Sequence, residues 1–297
     1  MMVTVVANDA VLGATVDGLD LSQPLPDAAI ETILTALARH GVLRFPNQDL
    51  SPAQQKAFAG RFGSLEVNVA NRNASGEHPE IMILSNMVDA AGKSLGLADA
   101  GQDWHTDMSY SATIALANVL FAIKVPHDDH GQPLGDTRFA NMIAAYEALP
   151  TAVKQRLDGA TITHDFNLFW ERMRARPGSN RQPLTPEQRA EKPPVSHPAV
   201  MVHPVSGAKV LYANPGYAAC IDGWEKADSD AVLAFLFRHQ LQDAFLYDHH
   251  WTEGDLMMWD NIATLHYAVA DYGAHQHRMM QRCQVMADQV FAHPRFR

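Results

Sequence analysis

Trp104-His105-Thr106-Asp107 places a histidine and a carboxylate two residues apart, directly after an aromatic. In an extended segment residues i and i+2 point to the same side, so both side chains can reach one ion. Far downstream, Trp259-Asp260-Asn261-Ile262-Ala263-Thr264-Leu265-His266 supplies a second histidine, and Arg278-Met279-Met280-Gln281-Arg282 follows closely. Two neutral imidazoles and one carboxylate on one face of an iron ion leave the opposite face open, as in non-haem iron centres that activate oxygen. If the three segments converge, oxidation chemistry is implied.

A histidine two residues before an aspartate is by itself a weak signal in a chain with 15 histidines. His127-Asp128-Asp129 repeats it, but that run follows Pro126 and leads into Gly131 and Pro133, so it reads as an exposed loop between strands. His105 and Asp107 instead sit among Trp104, Met108, Ser109 and Tyr110. In a strand Arg278, Met280 and Arg282 share one face, and four residues span about 13 Å. That is too far for both guanidinium groups to grip one carboxylate without bending towards it, so two inward arginines near a metal suggest two anionic groups to bind. The plainer alternative is a pair of structural salt bridges, or a solvent-facing strand, since a buried unpaired cation is costly.

The elements that must position these residues are legible in part. Residues 27–40 have helical apolar spacing (Ile30, Ile33, Leu34, Leu37) and end at Gly41, a favoured C-terminal cap. Val42-Leu43-Arg44-Phe45 reads as a buried strand closed by Pro46. Ser51-Pro52-Ala53-Gln54 combines an N-cap serine, a first-turn proline and glutamine at N3, which starts a helix expected to reach Phe62. An apolar strand is predicted over 117–125, a helical pair over 141–149 and 151–157, and strands over 161–166, 199–203, 209–213, 245–251, 255–260 and 278–287. Pro204-Val205-Ser206-Gly207 joins two of these as a hairpin turn, and Ser229 is expected to cap a helix running to about His239.

The 297 residues, 47 % of them hydrophobic, allow one sizeable core. No composition break or repeat divides the chain, so a single domain over 1–297 is expected. Residues 171–194 differ: they are charged and hold five prolines with little apolar periodicity, and they follow Phe166, Phe169 and Trp170. A mobile lid inserted at about 167–197 is the expectation. A formal charge of −10 argues against nucleic acid or an anionic membrane as partner, and no apolar run is long enough for a membrane span. The first residues lack the pattern of a secretory signal. With only Cys220 and Cys283, far apart, no disulfide framework is implied, and a reducing cytoplasm is the expected location.

The ordered motifs Arg44-Phe45-Pro46-Asn47-Gln48, Arg61-Phe62-Gly63, Trp104-His105-Thr106-Asp107, Gly135-Asp136-Thr137, Ala144-Ala145-Tyr146-Glu147-Ala148-Leu149, His203-Pro204-Val205-Ser206-Gly207, Trp259-Asp260-Asn261, His266-Tyr267-Ala268 and Asp271-Tyr272 carry a resemblance across nearly the whole chain. The chain resembles the taurine dioxygenase family, which includes the 2,4-dichlorophenoxyacetate dioxygenases, all dependent on iron(II) and 2-oxoglutarate. The resemblance implies a mainly β fold with flanking helices, a double-stranded β-helix or jelly roll. It implies iron(II) held by His105, Asp107 and His266, with the 2-oxo acid and dioxygen filling the three remaining positions. Thr137 and Arg278 would hold the distal carboxylate of 2-oxoglutarate, and Arg282 would face the substrate's anion or the other end of the co-substrate. A guanidinium suits either task, because it recognises carboxylates bidentately and keeps its charge.

The same resemblance places a substrate pocket at Asn68, Asn71, Met108, Phe169, Trp170, Tyr217 and Arg282. Taurine enzymes of the family carry histidine and tyrosine where Asn68 and Asn71 stand, which puts taurine itself in doubt. Phe169, Trp170 and Tyr217 offer aromatic walls that could stack on an aryl group or merely line a small pocket. Related halogenases lack the metal-binding carboxylate, so Asp107 favours hydroxylation, with release of succinate and CO2. The expected substrate is a small or medium organic acid bearing sulfonate, carboxylate or phosphonate, and the enzyme is expected to be a homo-oligomer. Desaturation or oxidative decarboxylation of an amino-acid derivative on the same iron centre stays open as an alternative, as does a non-catalytic metal-binding relative.

Overall fold

The structure, a computed structural model, describes residues 3–67, 77–98, 100–176 and 181–290. The expected pocket residues Asn68 and Asn71 lie outside the described residues. Two sheets face each other. The larger has seven strands in the order Thr4–Ala7, Ala14–Asp17, Val42–Phe45, Leu256–Asp260, Ala115–Lys124, Met279–Met286, Met82–Ser85. The smaller places Thr137–Asn141 between Leu246–His249 and Thr264–Ala268, antiparallel to both. Two further pairings lie alongside: Thr161–His164 between Val195–Pro198 and Ala218–Ile221, and the hairpin of Val200–Val202 with Lys209–Leu211 around Gly207, as expected from its turn.

Period-two alternation sorts the large sheet's side chains. Val119, Phe121, Met258, Cys283 and Val285 face the main core, where the helices Asp27–His40 and Pro52–Ala59 pack on the sheet's outer side. Leu120, Ala122, Met257, Trp259 and Met280 turn the other way, onto Phe139 and Trp251 from the smaller sheet's side. Arg278 and Arg282 share the inward parity of Met280, and both are buried. The helix Pro52–Ala59 begins as its sequence requires: Ser51 Oγ accepts from Gln54 N while Gln54 Oε1 accepts from Ser51 N at 2.9 Å. From that helix Gln55 reaches into the core and donates to the Val119 and Gln281 carbonyls.

Several expectations change. The helix predicted to reach Phe62 ends at Ala59, and the one expected to start at Ser229 spans Lys226–His239. Ser229 lies inside its first turn, where the hydroxyl accepts from Ile221 N instead of capping. The insertion holds two helices, Phe166–Arg174 and Pro186–Glu191. The first is capped by Asp165, which accepts from Asn167 N and Leu168 N, and the second by a Thr185/Gln188 capping box. Glu171 in the first helix ties it to the second through Arg189, and also pairs with Arg174 in its own helix. Residues 127–133 form the exposed turn expected: Asp128 Oδ1 accepts from His130 N and Gln132 N.

Candidate metal centre and active site

An isolated antiparallel bridge between His105 and His266, with both backbone N–H groups donating across it, brings the two distant motifs together at the smaller sheet's edge. One ligand atom each from His105, Asp107 and His266 lies within 4.8 Å of the others, and all three residues are buried. His105 Nδ1 bonds the Asp103 carbonyl at 2.7 Å. A carbonyl only accepts, so Nδ1 carries the proton and Nε2 presents a lone pair to the cluster. That Nε2 stands 3.5 Å from Asp107 Oδ1, and His266 Nε2 stands 3.8 Å from Asp107 Oδ2. His266 is backed by the Trp259 ring at 4.9 Å.

The donor set fits a divalent metal. Burial alone raises the carboxyl pKa of Asp107, but the Arg282 guanidinium and the two imidazoles outweigh it and hold it well below its usual value. His266 is pushed the other way, well below the usual imidazole value, by burial first and then by its neighbour His105. An anionic carboxylate and a neutral imidazole are the forms that ligate metal.

The segment after Asp107 is strained and braced. Met108 has φ 59°, left-handed for a side chain that disfavours it. Asn214 Nδ2 donates to the Thr106 carbonyl at 2.8 Å and to Ser109 Oγ at 2.7 Å, and Ser109 bonds His164 Nδ1 at 3.0 Å. These bonds hold the turn on both sides of the strained residue.

A cavity of about 400 Å³ opens on this cluster. Met108, Phe169, Trp170, Tyr217 and Arg282 line it beside His105 and Asp107, so five residues expected at the substrate pocket come together. Tyr110 and Phe166 belong to the same wall but were not expected there. Their rings lie 4.9 Å apart, Tyr110 and Tyr217 4.8 Å, and Phe169 and Tyr217 4.6 Å. The hint was available: Tyr110 follows Asp107 by three residues, and Phe166 heads the aromatic run. Burial raises the hydroxyl pKa of Tyr110 and of Tyr217, so both rings are neutral walls. Arg282 Nη1 donates to Asp107 Oδ2 at 3.2 Å.

Thr137 and Arg278 do not line that cavity. Arg278 is packed against Gly135 and the Tyr272 ring, its Nε buried without a partner, and burial lowers its pKa. A Cβ at Gly135 (φ +75°) would stand 3.2 Å from that Nε and 3.0 Å from the Tyr272 ring. Two residues on, Thr137 Oγ1 accepts from the Trp251 indole N–H at 3.0 Å, a contact that no sequence spacing announces.

The model of the taurine catabolism dioxygenase TauD, TfdA family matches residues 6–284. The chain belongs to this family. As a TauD/TfdA member it is an oxidoreductase of the α-ketoglutarate-dependent dioxygenase class. It is 33% identical over 300 residues to the α-ketoglutarate-dependent 2,4-dichlorophenoxyacetate dioxygenase of Cupriavidus pinatubonensis, covering 97% of this chain and 99% of that one. It is 32% identical over 279 residues to the α-ketoglutarate-dependent sulfate ester dioxygenase of Pseudomonas putida, covering 91% and 85%. The crystal structure of AAD-2 in complex with Mn(II) and N-oxalylglycine superposes with TM-score 0.78 at 28% identity, over 97% of this chain and 99% of that one. Among the described residues no helix is long and apolar enough to cross a membrane.

Proposed function

We propose that this single-domain protein is an iron(II)- and 2-oxoglutarate-dependent dioxygenase with the jelly-roll architecture of its family. It hydroxylates a small or medium organic anion with an apolar body. The observation that carries this reading is the buried His105–Asp107–His266 cluster, whose His105 and Asp107 line an aromatic cavity that also holds Arg282. His105 Nε2, Asp107 and His266 Nε2 hold the metal. Iron with 2-oxoglutarate and dioxygen supplies the oxidising power, so that R–H, 2-oxoglutarate and O2 become R–OH, succinate and CO2. Arg278 and Thr137 bind the distal carboxylate of the co-substrate, a role supported by a buried guanidinium whose Nε is unpartnered and packs on Gly135, two residues before the buried Thr137. Support also comes from AAD-2, whose Mn(II) and N-oxalylglycine correspond to a divalent metal and a close analogue of the 2-oxo acid.

Arg282 takes the substrate's anionic group. Tyr110, Phe166, Phe169, Trp170 and Tyr217 enclose its body and exclude water, with Met108 at the floor. The two relatives named for 2,4-dichlorophenoxyacetate and for sulfate esters both act on organic anions. The insertion at 167–197 acts as a lid: it brings Phe169, Trp170, Leu184 and Lys192 to the cavity.

The test is a panel of taurine, aryloxyalkanoates, alkyl sulfate esters, alkyl sulfonates and N-substituted amino acids, scored by substrate-dependent succinate release. Anions with an aryl or alkyl body should be turned over and taurine poorly. Efficient taurine turnover, or strong turnover of a neutral compound, would overturn the assignment of the pocket and of Arg282.

A further inference from the structure

Asn118 lies in the strand Ala115–Lys124 on the inward parity, fully buried, paired across the sheet with Trp259 and Gln284. Its Nδ2 donates to Asp107 Oδ2 at 2.7 Å and to Asn261 Oδ1 at 3.2 Å. The direction of the amide follows from chemistry: an ionised carboxylate can only accept, so the nitrogen must face it. Asn261 in turn sits under Thr106, whose hydroxyl donates to the Asn261 carbonyl at 2.5 Å. One polar chain thus joins the strand, the segment between the two upstream ligands, and the turn leading into the strand of His266.

From this geometry we infer that Asn118 is a positioning residue that sets how Asp107 binds the metal. Asp107 Oδ2 is occupied by two donors, Asn118 and Arg282. Oδ1 receives neither, so it is the oxygen offered to the metal, and the carboxylate binds through one oxygen. Arg282 is the replaceable donor of the two, because on the proposed reading it turns towards the substrate's anion. Asn118 is fixed in the strand and stays. It therefore keeps Oδ2 engaged while the pocket fills, and it stops the carboxylate from rotating to chelate with both oxygens. An apolar residue at 118 would leave Oδ2 buried with only a mobile partner, and hydrogen bonds to metal-ligating groups of this kind typically matter 10–100-fold in metal affinity.

The inference rests on the reading of His105, Asp107 and His266 as metal ligands, and the test separates the two. Full-length wild type and the similarly sized Asn118→Leu variant are titrated with Co(II) chloride alone, following the visible ligand-field absorption and the dissociation constant. Wild type should bind one Co(II), and the variant should bind it 10–100-fold more weakly, with altered band positions and a native circular dichroism spectrum. Asn118→Ser, which keeps a hydroxyl donor, should recover part of the affinity. Equal affinity and identical spectra for wild type and the leucine variant would overturn the role of Asn118 and leave the metal centre standing. No Co(II) binding by folded wild type would overturn the metal centre and Asn118's role with it. If the leucine variant does not fold, Asn118→Ala read against Asn118→Ser gives the same comparison, and equal affinity there overturns the role.

Discussion

Asp107 joins the proposed metal site to the stability of the fold in a single side chain. It is buried and receives donors from Asn118 and Arg282, while Arg282, also buried, has no other carboxylate against it among the described residues. Removing one partner of such a pair leaves a charge in a poor environment, typically at a cost of about 3–5 kcal/mol. Asp107→Ala is therefore expected to abolish substrate-dependent succinate release and stoichiometric metal binding. It should also lower the urea midpoint, because Arg282 is left uncompensated, while the circular dichroism spectrum stays native. His105→Ala should abolish metal binding with a smaller loss of stability. An Asp107→Ala protein with normal metal content and turnover would contradict the assignment. That His105 and Asp107 face one point was readable in the sequence, because a histidine two residues before a carboxylate, set among aromatics, is a local pattern. Asn118 and Trp251 carry no such pattern, since what matters is which distant segment they meet.

At the scale of elements, legibility followed length and periodicity. The helices Asp27–His40 and Thr151–Leu157 and the strand Val42–Phe45 fall where the residues place them, each flanked by Gly or Pro, and the first helix is patterned for one buried face. The strands Thr137–Asn141 and Thr264–Ala268, which carry Thr137 and His266, were not resolved as strands. They are five residues each and mostly buried on both faces, so alternation is missing. Thr185-Pro186-Glu187-Gln188 repeats the cap, proline and glutamine of Ser51-Pro52-Ala53-Gln54, yet its charged surroundings hid the short helix it starts. The contact between Trp251 and Thr137 belongs to this scale, because it joins the loop after Leu246–His249 to the neighbouring strand. With the indole N–H donating to its oxygen, the Thr137 hydroxyl is left to donate its own hydrogen elsewhere, on the proposed reading to the co-substrate carboxylate. Trp251→Phe should weaken N-oxalylglycine binding to the Mn(II) form about fivefold, one ordinary hydrogen bond of about 1 kcal/mol. Arg278→Met should weaken it by about 2–3 kcal/mol, a charge-assisted contact. In a Thr137→Val background Trp251→Phe should add nothing. Calorimetry on the four proteins of that cycle decides it, and additive losses would show that Trp251 acts by packing alone.

Across the whole molecule, several histidines sit where burial disfavours protonation, and this sets an acid limit on the fold. Burial pushes His164 down to about 3, and burial also lowers His197 and His249. His164 Nδ1 is engaged with Ser109 behind the strained Met108, so it braces the segment that carries Asp107. In the unfolded chain this imidazole titrates near 6.5. The sign follows: the folded form cannot take the proton that the unfolded form accepts, so the stabilisation from a neutral His164 is complete above pH 6.5. It is lost progressively as pH falls from 6.5 towards 3, by about 1.4 kcal/mol per pH unit for one proton. Carboxylates such as Asp107, whose folded pKa is depressed, lose their contribution only at lower pH, as it falls below the usual carboxylate range. The early part of acid unfolding, between about pH 6.5 and 4.5, therefore belongs to the buried imidazoles. Urea midpoints of the metal-free protein should fall steadily through that range. His164→Gln, which cannot titrate but can still bond Ser109, should flatten the dependence by roughly one proton while lowering stability at pH 8. Wild-type and His164→Gln curves that run parallel from pH 8 to 4.5 would show that the proton is taken up elsewhere, and that the brace behind Asp107 does not govern the acid stability of the fold.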